Sequence, residues 1–141
     1  MATGLTDNRI DGLGAGSMQL VSALTQVTSA GVAGLAMGLV ETVTAAAGGT
    51  QAGALALSAG KTVSVATVVA TAGDSLSLPL ATGSGVVRVV GNVTAASLQL
   101  YGAGTDTINA VATATGIAVA AGKSAICIDY AAGKWIAVVG A

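Results

Sequence analysis

The sequence predicts an all-β fold, a small β-sandwich or jelly-roll-like barrel with an extended N-terminal arm, assembled as a homotrimer. Three observations lead there. From Thr50 onward, runs rich in Val, Thr and Leu recur about every 8–12 residues, the spacing of short strands in all-β domains. Glycine-containing turns separate those runs, and the chain has 21 Gly against a single Pro. The composition supplies the third: 53% of residues are hydrophobic, yet only 8% are charged and 2% aromatic, whereas an ordinary soluble domain is roughly 25% charged. With no Phe, the core of an isolated copy is thin, because aromatic side chains normally cover about 150–250 Å² each. So few charges also leave apolar surface uncovered unless copies of the chain or another protein cover it.

At 141 residues the chain suits one domain with a preceding segment. Residues 1–43 read as an N-terminal arm and docking segment, and residues 44–141 as the β-domain. The arm begins with the polar, turn-rich Thr3 to Arg9 and continues through Gly12, Gly14 and Gly16, a stretch with little to bury. Between Ser17 and Ser29, Met18, Leu20, Val21, Leu24 and Val27 fit one short amphipathic helix, while Thr and Val favour a strand; both readings stay open. In the β-domain, Ala52 to Leu57 is a weak strand and Lys61 to Ala70 a Val/Thr-rich one. Ser75 to Leu78 alternates polar and apolar, the pattern of a half-buried strand that Pro79 ends. Val86 to Val90 is apolar around Arg88, Ser97 to Tyr101 alternates again, and Ile117 to Val119 is short. Ala125 to Tyr130 and Lys134 to Val139 flank Ala131-Ala132-Gly133 as a closing hairpin.

Charge and residue type exclude several functions. The five basic residues, Arg9, Lys61, Arg88, Lys123 and Lys134, are scattered, so nothing forms the positive footprint of a nucleic-acid binder. His is absent, which removes the usual general base and metal ligand. Cys127, between Ile126 and Ile128, reads as a buried, inert thiol. Asp74 and Asp106 sit beside glycine in turn-like sequences, where a carboxylate most simply bonds its own backbone. Gly12, Gly14 and Gly16 lack the strand before and the Lys-Ser/Thr after that a phosphate loop needs. Asn92-Val93-Thr94 fits a glycosylation acceptor but reads as a turn. Trp135, at a hairpin exit, reads as core. Met1 to Gly16 lacks the basic start and apolar run of a secretion signal. The longest apolar stretch, Ala30 to Val40, is short of the roughly 20 residues of a membrane span, and its Gly34–Gly38 GxxxG pattern reads as tight packing.

Six landmarks occur in order: Gly73 to Pro79, Val86 to Asn92, Leu98 to Gly102, Gly104 to Asn109, Ala121 to Ala125, and Gly133 to Trp135. Together they resemble a β-rich module of phage and prophage virion proteins, found in head decoration (cement) proteins, head fibres and tail-fibre segments. The resemblance covers roughly the last two thirds of the chain. It implies a small β-sandwich that trimerises on the outside of a particle, and it leaves the region before Thr44 uncovered.

The expected function is therefore structural: a capsid decoration protein, not an enzyme, binding the exterior of the phage head and stabilising it. The alternative is a head- or tail-fibre module recognising a host receptor or glycan. The expected partners are copies of the chain and the major capsid protein, without nucleic acid, membrane, cofactor or metal, and the expected location is the virion surface after synthesis in the host cytoplasm. Leu5, Ile10 and Leu13 are the arm's apolar anchors, and Arg9 could add a charge-assisted bond to a capsid carboxylate, so these four are the expected capsid-docking residues.

Overall fold

The computed structural model describes residues 40–140. The expected docking residues Leu5, Arg9, Ile10 and Leu13, the undecided Ser17–Ser29 segment and the Gly34–Gly38 pattern lie outside them.

Ten strands make up the described residues, and no helix occurs among them: β1 (Val40–Thr44), β2 (Leu55–Ala56), β3 (Val63–Val68), β4 (Ser75–Ser77), β5 (Val87–Asn92), β6 (Leu98–Tyr101), β7 (Thr107–Ile108), β8 (Ile117–Val119), β9 (Ser124–Ala131) and β10 (Lys134–Val139). The all-β expectation holds. β1 starts before the expected boundary at Thr44 and pairs along its length with β3, so Val40–Val43 belong to the β-domain. β7 lies in the landmark Gly104 to Asn109, where no strand was expected.

The sheets are wound differently from a sandwich. β1, β3 and β5 lie side by side and parallel in one sheet, and β2, β4 and β6 lie side by side and parallel in a second. The chain alternates between the sheets, laying one strand in each per rung. Val40 sits opposite Val63 and Val63 opposite Val89, 23 and 26 positions on, and Leu55 opposite Leu76 and Leu76 opposite Leu100, 21 and 24 positions on. This is a β-solenoid, in which each rung contacts only its neighbours. The expected sandwich or jelly-roll barrel is therefore corrected, since those folds close through antiparallel Greek-key pairing. The physical reason lies in the connections. Parallel neighbours need a crossover of a dozen or more residues, and the strand in the opposite sheet supplies it here.

The C-terminal third stops the winding. β9 runs antiparallel to β5, β10 antiparallel to β9, and β8 antiparallel to β6, while the two-residue β7 forms the far edge beside β10. The expected hairpin joins β9 to β10, and Gly133 takes φ 72° in its turn, a conformation that Gly adopts without a Cβ penalty.

The core lies between the two sheets. Leu76, Leu78, Leu98, Leu100 and Val119 fill it from one side, and Ala66, Val90, Cys127 and Trp135 from the other. β4 was expected to be half-buried, yet Ser75, Leu76 and Ser77 are all buried. The segment before β2 covers it, with Ala46 bridged to Ser75 and the Ser75 hydroxyl donating to the Gly48 carbonyl at 2.8 Å.

The six-stranded sheet inverts the usual size pattern. On β9 the inward residues are Ala125, Cys127 and Asp129, and the outward ones are Ile126, Ile128 and Tyr130. On β10, Trp135 and Ala137 point in, and Ile136 and Val138 point out. Register aligns the outward residues across the sheet. Val40, Val63, Val89, Ile126 and Val138 form one straight row over five strands, and Val87, Ile128 and Ile136 a second over three.

Candidate functional site

Arg88, Cys127 and Asp129 share the inward face of the six-stranded sheet. The antiparallel β5–β9 pairing puts Arg88 opposite Cys127, with Asp129 two residues further along the same inward face. Asp129 is buried, and its carboxylate gathers the loop before β5. The amides of Thr82, Gly83 and Ser84 donate to it at 2.9, 2.6 and 3.3 Å, and the hydroxyls of Thr82 and Ser84 each at 3.0 Å. Burial acts to raise this carboxyl's pKa, but the combined donors outweigh it and hold it at about 2. Gly83 and Gly85 both have positive φ, which lets the loop fold its amides back onto one carboxylate, as in an anion nest.

Arg88 braces a different loop. Its guanidinium donates to the carbonyls of Ser58, Ala59 and Lys61, the turn between β2 and β3. Glu41 holds the same turn from the side, accepting from the Ser58 amide at 3.1 Å and the Ser64 hydroxyl at 2.7 Å. Burial lowers the Arg88 pKa, and the charges of Glu41 and Asp129 oppose that shift. This cationic brace sits in a strand that the sequence marks only as an apolar run.

The remaining polar groups behave alike. Asp74 accepts from the Thr71 amide at 3.0 Å, a local turn of the expected kind. Asp106 departs from expectation: it accepts from the Ala81 amide, 25 positions away, at 2.7 Å, and so latches two segments rather than its own turn. Asn92 is buried and its amide donates to the carbonyls of Ala96, Val119 and Ala120, tying the end of β5 to the other sheet. That position is closed to a glycan. Asn109 exchanges two hydrogen bonds with the backbone of Ala137.

Cys127 is fully buried, and burial raises its thiol pKa to about 12 against the opposing pull of Arg88. A thiol that is neutral and enclosed does not attack. We expect no reaction with a thiol-specific disulfide reagent over hours at pH 8 in the folded protein, and one equivalent released on addition of denaturant. Rapid labelling without denaturant would contradict this placement.

Two hollows border this region. A recess of about 180 Å³ is lined by Thr82, Ser84, Arg88, Asp129 and Trp135, among others. A wider, mostly apolar groove of about 520 Å³ is lined by Asn109, Ala110, Tyr130, Trp135 and Ile136. Trp135 is itself buried, as its expected core role requires. Its indole Nε1 and the Arg88 Nε are buried without a hydrogen-bond partner. Among the described residues, no three or more Cys, Asp or Glu side chains converge as a metal site would need, and no helix is long and apolar enough to cross a membrane.

The sequence singled out Asp74, Asp106, Cys127 and Trp135, and the structure brings the last three to the six-stranded side of the core. It did not single out Asp129 or Arg88. For Arg88 the signal was a lone charge inside an apolar run; Asp129 carried none, because the neighbouring isoleucines are the more hydrophobic candidates for the interior.

What fold and site define together is a class: a β-solenoid, closed at one end by antiparallel strands, whose ionisable groups brace its own loops. No protein-family model, curated protein or solved structure matches the chain.

Proposed function

We propose that this chain is a structural virion protein, a capsid decoration protein that assembles as a homotrimer on the outside of a phage head and stabilises it. One observation carries the structural half of this reading: Asp74, Asp106, Asp129, Glu41 and Arg88 each bond backbone groups of the domain. Side chains committed to holding loops are poorly placed to move protons or bind a substrate. The virion half rests on the six landmarks of the sequence and on a composition that needs partners. The mechanism is mass action: a subunit that binds only the assembled lattice stabilises it by its binding free energy.

A fibre or spike module is the second reading. The groove beside the half-exposed Tyr130 favours it, because an accessible aromatic at a concave surface suits stacking on a glycan ring. Purified particles with and without the protein separate the two. For decoration, particles lacking it release their DNA at a lower temperature, and adding back the full chain restores the wild-type temperature. Unchanged thermal release together with loss of adsorption to host cells would move the assignment to the fibre reading. Failure of the purified chain to bind either particles or cells would sink both.

A further inference from the structure

We infer that the outer face of the six-stranded sheet is the surface through which copies of this chain associate, face to face. Two copies of one face pair about a two-fold axis and make a dimer, so this contact is additional to the one that closes the proposed trimer; it rests on the structural reading above.

The strand sequences dictate the face. Alternation places β-branched residues outward on five adjacent strands, and register lines them into the row running from Val40 to Val138. Val138 is 69% exposed and Ile126 49%. Scattered exposed aliphatics are ordinary, but a contiguous row with a second row beside it is a patch, and patches of this kind mark interaction surfaces. Among the outward positions of β1, β3, β5, β9 and β10, the one charged residue is Lys134, at the end of β10. The interior of the same sheet holds Arg88, Asp129 and Glu41, so charge has been placed inward and aliphatic bulk outward.

Three features select a second copy as the occupant. The first is charge: a partner recognised by electrostatic complementarity needs charges to meet, and this face offers one, at its rim. With a net charge of −1, copies of the chain do not repel one another. The second is shape, because a regular sheet face is matched in ridge spacing by another of the same kind, and stacked sheets interdigitate about 10 Å apart. The third is size. Five strands span about 24 Å and six residues about 20 Å, so two such faces together enclose about 1,000 Å². That is the size at which a specific interface becomes credible, and its charge-depleted, aliphatic make-up is that of a homomeric interface core.

The test is sedimentation of the full chain across nanomolar to micromolar concentration, with near-ultraviolet circular dichroism of the single Trp as a check on folding. The wild-type chain is expected to be oligomeric. The Ile126→Lys/Val138→Lys double variant is expected to weaken association by about 100-fold or more, since it buries unpaired charge in the contact. Leu55→Lys, at an exposed position of β2 in the four-stranded sheet, is expected to leave association unchanged. Should the lysine variant fold poorly, Ile126→Thr/Val138→Thr keeps β-branching and is expected to weaken association about tenfold. A monomeric wild-type chain would overturn the inference, as would an oligomer indifferent to the double variants. If the wild-type chain is monomeric but the double variant no longer binds particles, the face is a particle dock and the self-association proposal is again wrong. The particle experiments above test the virion reading separately, so each idea can fail alone.

Discussion

Asp129→Asn is expected to lower the unfolding free energy by about 2 kcal/mol, because it replaces the charged acceptor of several part-buried bonds from the Thr82–Ser84 loop, and a hydrogen bond to a charged group is worth about 1.5–3 kcal/mol. The asparagine keeps one oxygen but turns an NH2 group toward amides and hydroxyls that all donate. Since Gly85 donates to the Asp129 carbonyl at 2.8 Å, the backbone pairing should survive and the damage should centre on the loop. Acid provides an independent check. The Asp129 pKa is about 2 in the fold and about 3.9 in an unfolded chain, so this group's contribution is complete above about pH 4. It fades as pH falls through that window, because protonation is then easier in the unfolded state. Urea denaturation at pH 7 and at steps down to pH 2 should show the wild-type advantage over the variant shrinking across that window. A loss under about 1 kcal/mol at pH 7, with parallel acid profiles, would show that the loop does not depend on the charge.

Trp135→Ala should cost about 3–5 kcal/mol, the range for removing a large buried aromatic. Trp135 is the largest fully buried side chain among the described residues, and its strand pairs with both β7 and β9. Little else in the core has comparable volume, so neighbours have few ways to close the gap. Trp135→Phe should cost only about 1 kcal/mol, because it keeps most of the volume and removes an indole N–H that has no partner. Chemical denaturation followed by far-ultraviolet circular dichroism measures both. Equal losses for the two variants would show that the indole N–H is bonded after all, for instance to a buried water.

Much of the fold was legible because its strands are local. The period-two runs at Ser75–Leu78 and Ser97–Tyr101 and the glycine between the last two strands are properties of short segments, and the strands lie there. The winding was not legible, because it depends on matches 21 to 26 positions apart. In a chain so rich in Val, Ala, Leu and Gly, a Val opposite a Val carries little information. Short strands 8–12 residues apart fit a sandwich and a solenoid equally well. The buried braces were hidden for a different reason. In Ile126-Cys127-Ile128-Asp129, hydrophobicity alone puts the isoleucines inside, yet the structure puts Cys127 and Asp129 there. A loop amide needing an acceptor decides that choice, and the loop lies more than forty positions away. Asp106 was misread as a local turn for the same reason: its acceptor role is set by Ala81, which only the fold brings near.

The wound architecture also ties two properties that are independent in most folds, length and stickiness. Each added rung raises the stack by about 4.8 Å and leaves the cross-section as it was. Because Val40, Val63 and Val89 occupy the same outward station on successive rungs, a duplicated rung would also add one more aliphatic residue to the outer row. Lineages that lengthen such a domain by whole rungs would therefore strengthen its lateral contacts in the same step, and those that shorten it would loosen them, without a single substitution in the interface.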